Sequence, residues 1–205
     1  MNKCHIAVLT ALLTACAAPP QRVDTPLTEG PDKAYAVDLP VGWIKQVTAK
    51  RGLLASRDGI LLEYILINKA SHKEAFPKTK KAASDALLPA ELAELEIAEI
   101  KGEDQFTAAL TVVENEPAEI AGQEGFRVLV RYKNTRGLEI QRVVYGFADK
   151  AGYYQMTFQA PMLHYFDTYY PDFQKAVASF RLVSGSKKAA GMPVNKAVLL
   201  TLSGQ

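Results

Sequence analysis

The sequence predicts an α+β domain in which helices pack on a largely antiparallel sheet. Residues 126–133 alternate apolar and polar side chains, which is typical of a half-exposed strand. Strand-like runs separated by short turns follow one another between residues 106 and 160, which indicates an antiparallel meander. Helical patterns over 88–102 and 171–183 flank that run. The order strands, helix, strands, helix favours the α+β class.

The first half of the domain is predicted to begin with strands. Tyr35, Val37 and Leu39 alternate with less apolar residues, and a Pro-Val-Gly break at 40–42 ends this strand. Next, Asp58-Gly59 between two apolar runs predicts a two-residue type I′ hairpin. The second run, 60–67, is predicted to be a strand covered on both faces.

Two helical regions are predicted around the meander. Residues 72–87, rich in Lys and Ala, are predicted to be helical, and a second helix follows with Pro89 at its first position and Gly102 just past its end. The last helix is predicted to start at Pro171 and to bury a stripe formed by Phe173, Val177 and Phe180.

The amino terminus has the pattern of an export signal. Lys3 precedes a short apolar run that is too short to span a bilayer, which needs roughly 20 apolar residues. The sequence Leu-Thr-Ala-Cys at 13–16 then resembles the lipobox of bacterial lipoproteins. This resemblance implies cleavage before Cys16 and attachment of diacylglyceryl and a fatty acid such as palmitate to it. The alternative is a plain signal peptide with an incidental cysteine.

The resemblance also implies a location. Ala17 follows the cysteine, where aspartate is the usual signal for inner-membrane retention. We therefore expect the protein at the outer membrane of a Gram-negative bacterium, facing the periplasm.

Four segments are predicted along the chain. They are a signal peptide (1–15), a lipidated N-terminus with a flexible tether (16–33), one globular domain (34–183) and a flexible C-terminal tail (184–205). Processing leaves 190 residues with a formal charge of +1, which gives no electrostatic argument for nucleic acid. One expected partner is the membrane itself, which the protein contacts through the acyl chains on Cys16.

Two patches of the domain resemble a known family. The sequence YAVDLPVGW at 35–43 is similar to the opening of PsbP-like domains, and AVASFRLV at 176–183 is similar to their close. The resemblance implies an αβα arrangement over about 35–183 and a non-enzymatic accessory or assembly role. Kinship with proteobacterial lipoproteins of unknown function is also expected, through LLPAELAEL, PAEIAG and APMLHYF.

His164 and Asp167 are the candidates for a reactive pair. Their i, i+3 spacing places them on one face if the segment is helical, as a proton relay would need. The alternative is that His164 caps or packs the junction between sheet and helix. In a third interpretation the neighbouring tyrosines, Tyr165 and Tyr169 among them, form a contact surface.

Two further residues are candidate binding groups. Glu63 is the single charge in the apolar run 60–67, and a carboxylate buried there would have a raised pKa. It would otherwise lie at a sheet rim or pair with a basic residue. Trp43 either stacks on a ligand or fills the core after the Pro-Gly break. We expect no cofactor, and with two histidines after processing one chain cannot form a three-histidine metal site.

The predicted function is that of a membrane-anchored periplasmic lipoprotein. We expect the domain to act by binding, as a non-enzymatic accessory or assembly factor of the cell envelope with an envelope protein as partner. The alternatives are a periplasmic hydrolase that uses the His-Asp pair and a carrier of a small hydrophobic ligand.

Overall fold

The computed structural model describes residues 19–48, 52–103 and 110–183. In these ranges the chain forms two α-helices and strands that pair into two sheets. In chain order the elements are β1 (Gln21–Arg22), β2 (Leu27–Glu29), β3 (Tyr35–Asp38), β4 (Ile44–Val47), β5 (Leu53–Ser56), β6 (Tyr64–Ala70), α1 (Pro89–Lys101), β7 (Thr111–Ile120), β8 (Gln123–Lys133), β9 (Glu139–Asp149), β10 (Gly152–Pro161), α2 (Asp167–Ser179) and β11 (Arg181–Leu182).

The larger sheet has eight strands in the order β1-β4-β5-β6-β10-β9-β8-β7, and every neighbouring pair is antiparallel. The predicted meander is present as β7 to β10. Its last strand, β10, returns to pair with β6, so the two halves of the chain share one sheet. A smaller sheet with the order β11-β3-β2 joins the two ends of the domain.

The helices cover opposite faces of the larger sheet, which confirms the α+β class and the αβα layering. On one face Phe173 and Phe180, from α2 and its end, pack with Phe158 and with residues of the smaller sheet. On the other face Leu92 and Ile100 of α1 pack against β8 and β9. Each face therefore has its own apolar core, and the alternation of the strands supplies both.

Helix α1 has the predicted ends. It begins at Pro89, the Glu91 carboxylate accepts a hydrogen bond of 2.8 Å from the backbone N–H of Leu88, and Gly102 follows the last turn. The predicted helix over 72–87 is wrong, since that segment contains one short 3₁₀ turn and otherwise irregular turns. Pro77 interrupts it, and the lysine-rich stretch after it offers no apolar stripe to bury.

The predicted type I′ turn at Asp58-Gly59 is also wrong. The connection between β5 and β6 covers residues 57–63, and within it Gly59 has a positive φ (119°) whereas Asp58 does not. The predicted strand over 60–67 correspondingly starts only at β6. Two consecutive positive φ angles occur instead at Ala121 (52°) and Gly122 (74°), where they join β7 to β8.

Helix α2 starts earlier than predicted. An irregular turn, Met162–Phe166, leads directly into the helix at Asp167, so that Pro171 lies inside the helix and not at its first position. Proline has no N–H, so the helix lacks the bond that residue 171 would otherwise donate to the carbonyl of Asp167, four residues earlier. The predicted apolar stripe is confirmed, with Phe173 and Phe180 buried and Val177 partly buried.

Part of the predicted tether belongs to the folded body. Between residues 21 and 29 the chain forms β1 and β2, and Val23 is fully buried with its N–H bonded to the Trp43 carbonyl. The prediction of a flexible coil is therefore wrong for 21–29, because Pro26, the one proline of that range, lies between β1 and β2 and does not interrupt the pairing of either strand. The signal peptide, Cys16 and the tail 184–205 lie outside the described residues. No helix within the described ranges is long and apolar enough to cross a membrane.

An acidic cleft beside helix α1

A cleft of about 510 Å³ lies between α1, residues 74–77 and the sheet strands β6 and β10. Its walls carry four glutamates and one lysine. The lining residues are Asn68, Lys69, Ala70, Glu74, Ala75, Pro77, Glu96, Glu99, Glu103, Tyr153 and Gln155.

The strand register and the helix period bring these side chains together. Asn68 of β6 is paired with Gln155 of β10, two residues from the neighbouring pair of Ala70 and Tyr153, so all four share the face that α1 covers. On the helix, residues 96 and 99 are three apart and therefore share one side, and Glu103 follows two residues after the helix ends.

Glu96 is the most buried acid of the cleft, with 2% of its surface exposed. Its Oε2 accepts a hydrogen bond from the Tyr153 hydroxyl at 2.9 Å, and its Oε1 accepts one from the Gln155 amide at 2.5 Å. Burial raises the pKa of Glu96 from its ordinary 4.5 to about 7, against the opposing effects of the Tyr153 hydrogen bond and the Arg142 charge. The carboxyl group therefore changes charge near neutral pH.

Glu99 of α1 and Glu103, just after its end, hold parts of the cleft in place. Glu99 accepts hydrogen bonds from the backbone N–H groups of Lys78 and Thr79, at 2.6 and 2.8 Å, and so fixes the loop that follows the 74–77 wall. Glu103 forms two hydrogen bonds with the guanidinium of Arg142, at 2.8 and 3.0 Å. Such a paired geometry fixes both groups.

A polar cluster continues from Glu103 under the helix. Arg142 is 5% exposed and also donates from Nε to Oε1 of Gln159 at 2.8 Å. The same oxygen accepts from the hydroxyl groups of Tyr132 (2.6 Å) and Tyr64 (3.3 Å). The cluster provides partners for a buried cation, whose guanidinium also lies 5.6 Å from the centre of the Tyr132 ring, and it holds Glu103 of the cleft in place.

The charge of the cleft suits hydrogen-bond donors and cations. The Nζ atom of its one lysine, Lys69, lies 3.4 Å from Oδ2 of Asp32 and 5.7 Å from the centre of the Tyr154 ring. The Oδ1 atom of Asn68 is buried and has no hydrogen-bond partner. Within the described ranges no group of three His, Cys, Asp or Glu side chains is arranged to hold a metal ion.

The predicted His-Asp pair does not lie in this cleft. His164 and Asp167 are both exposed, and among the described residues the one hydrogen bond that joins them runs from the backbone N–H of Asp167 to the His164 carbonyl, so their side chains are not bonded to each other. His164 has φ 70° and ψ −56°, a strained turn conformation, so the helical i, i+3 relation that the sequence suggested does not exist. Tyr165 packs partly on the core beside the His164 ring.

The remaining predicted residues meet at the end of the sheet where β5 joins β6. Trp43 is buried and contacts Tyr169 edge-on at 5.5 Å, and the Tyr169 hydroxyl donates to Asp58 at 2.5 Å. Glu63 is fully buried, and its Oε1 accepts the backbone N–H groups of Asp58 and of the residue before it, at 2.9 and 2.5 Å. Burial raises the Glu63 pKa. Here the carboxylate closes a loop and the indole fills core space.

Two residues of the cleft region escaped the sequence analysis although a signal was present. Glu96 lies four residues from both Leu92 and Ile100, in the middle of the apolar stripe of α1, so helical spacing already indicates burial. Arg142 lies two residues from both Ile140 and Val144, so the alternation of a strand places it on the same inward face as these two apolar residues. In both cases a charged residue occupies a position that the apolar periodicity of its helix or strand assigns to the core.

No family model and no curated protein sequence matches the chain. The solution structure of cyanobacterial PsbP (CyanoP) from Synechocystis sp. PCC 6803 is similar to it, with a TM-score of 0.52 and 13% identity over 85% of this chain and 99% of that one. This similarity confirms a PsbP-like fold. A mutant of the protein Mog1 has a TM-score of 0.48 and 14% identity over 79% of this chain and 97% of its own. LpqN, involved in cell envelope biogenesis of Mycobacterium tuberculosis, has a TM-score of 0.42 and 11% identity over 83% of this chain and 88% of its own.

Proposed function

We propose that the protein is a lipid-anchored periplasmic binding protein that serves the bacterial cell envelope as a non-enzymatic accessory or assembly factor. The observation that carries this proposal is the Leu-Thr-Ala-Cys sequence at 13–16, followed within five residues by a folded domain. An acylated Cys16 anchors the domain stably, because two or more chains hold a protein at a bilayer.

The acidic cleft supports a binding role for the domain. Its polar lining groups are four carboxylates, two amides, a phenol and one ammonium, a set in which the groups that recognise cations and hydrogen-bond donors predominate. Arg142 and Glu99 hold its walls. A basic segment of an envelope protein has the matching chemistry. The same charge disfavours a carrier of an apolar ligand. The side chains of His164 and Asp167 are exposed and not bonded to each other, which disfavours a hydrolase.

The anchor is tested by fractionation and intact mass. We expect the wild-type protein in the membrane fraction, released by detergent but not by salt, with the mass of an acylated chain beginning at Cys16. Cys16→Ala should abolish acylation, while the matched Cys4→Ala variant should remain acylated, because Cys4 leaves with the signal peptide. An unmodified thiol at Cys16 would contradict the proposal.

Binding through the cleft is tested by photo-crosslinking in intact cells. A photoreactive residue at position 74, on the exposed rim of the cleft, should capture a defined envelope protein, and one at the equally exposed position 119 on β7 should not. Turnover of an envelope ester by the purified protein, lost in His164→Ala without a change in melting temperature, would favour the hydrolase instead.

A further inference from the structure

Exposed apolar side chains are most numerous near one edge of the larger sheet, whereas the far edge strand, β7, has two that are less exposed, Val112 (38%) and Val113 (40%). Five of them occur between residues 41 and 61, in the turn before β4, in β4 itself and in the connection from β5 to β6. We call them the edge patch: Val41 (57% exposed), Ile44 (43%), Val47 (46%), Ile60 (50%) and Leu61 (69%).

The edge patch adjoins the point where the described chain begins. Gln21 of β1 is paired with Lys45 of β4, so the first strand lies along the same edge. Five peptide units separate Gln21 from Cys16, and a chain of that length spans at most about 18 Å. The opposite edge, β7, is seven strand spacings away, or about 34 Å. A lipid on Cys16 therefore reaches the edge patch and not the far edge.

The two edges of the sheet also differ in charge, and this difference favours membrane contact at the same edge that the lipid on Cys16 can reach. No Asp or Glu occurs between residues 39 and 57, and the exposed Arg22 and Arg57 flank the patch. Asp58, in the same connection as Ile60 and Leu61, accepts a hydrogen bond from the Tyr169 hydroxyl. The far edge, β7, carries three glutamates and no basic residue, and Arg127 of the neighbouring strand pairs with two of them, Glu114 and Glu116. An anionic surface therefore attracts the first edge more strongly than the second.

We propose that the edge patch rests on the anionic phospholipid surface to which Cys16 is anchored, so that the domain stands with β4 towards the bilayer and β7 away from it. The inference rests on the proposed acylation of Cys16. Five partly exposed side chains make a weak contact, but the anchor keeps them at a high effective concentration next to the headgroups, so a weak contact is populated. This orientation leaves β7 and the covering helix α1 accessible from the periplasm.

The test uses the full acylated protein in vesicles of phosphatidylethanolamine and phosphatidylglycerol with brominated acyl chains. Leu61→Cys provides a thiol for a bimane label, because Cys16 is blocked by acylation and Cys4 is removed. The matched control is Leu88→Cys, which has the same side chain with 65% exposure at the start of α1. Both sites are exposed, so both variants keep the fold.

We expect the label at position 61 to be quenched by the brominated lipids at least threefold more than the label at position 88. Replacing phosphatidylglycerol with phosphatidylcholine should lower the quenching at 61 and leave that at 88 unchanged. Equal quenching at the two sites in anchored protein would overturn the inference. So would shielding of the label at 61 from aqueous iodide without lipid quenching, which would indicate a protein occupant. Failure to co-float with the vesicles is a separate readout that contradicts the anchor itself and the inference with it.

Discussion

Replacing Glu96 with glutamine should change how the stability of the protein depends on pH. In the folded protein Glu96 is 2% exposed and its pKa is raised by burial from 4.5 to about 7. The unfolded chain restores the ordinary pKa. Between these two values the folded state holds a proton that the unfolded state has released, so unfolding becomes easier as the pH rises.

The size of the effect follows from the pKa difference. One pKa unit corresponds to about 1.36 kcal/mol, so a shift from 4.5 to about 7 is equivalent to about 3 kcal/mol. This stability is fully present below pH 4.5 and is lost as the pH rises through about 7. Glutamine is neutral at every pH and retains polar atoms for Tyr153 and Gln155. The E96Q variant should therefore match the wild-type protein at low pH and exceed its stability by about 3 kcal/mol at pH 8.

The assay is urea unfolding of both proteins at half-unit intervals from pH 4.5 to 8.5. Subtracting the two profiles cancels the other titrating groups, among them Glu63, whose pKa is also raised. Glu94→Gln on the exposed side of the same helix is the matched control and should give a flat difference. Parallel profiles for E96Q and the wild-type protein would refute the argument that burial controls the Glu96 pKa.

Three further changes test the packing and the strained turn. Arg142→Met removes both guanidinium hydrogen bonds to the Glu103 carboxylate, so we expect the free energy of unfolding in urea to fall by about 3 kcal/mol. A fall below about 1 kcal/mol would show that stability does not need the cluster. Phe173→Ala leaves a cavity at a fully buried site between α2 and the sheet, so calorimetry should show that the free energy of unfolding falls by about 3–5 kcal/mol. A nearly unchanged melting temperature would contradict the packing. His164→Gly should stabilise the protein by roughly 1 kcal/mol, because glycine adopts a φ of 70° without strain, and a lower melting temperature would show that the imidazole makes a needed contact.

The features that the sequence determined by itself are those of local pattern. Alternation along β8, the proline and glycine that bracket α1 and the short turns of the meander depend on neighbours within a few residues, so they predict the α+β class and the order of the elements. The lipobox-like sequence is also local, and the proposed anchor depends on it alone.

The tertiary structure decided everything that depends on distant partners. Three features depend on contacts with strands far along the chain. They are the start of β6 at Tyr64, the continuation of α2 through Pro171 and the pairing of residues 21–29. The acidic cleft arises because β10 returns beside β6 under α1. Burial of Glu96 and Arg142 costs free energy that only a specific set of partners offsets, and local propensity does not contain those partners.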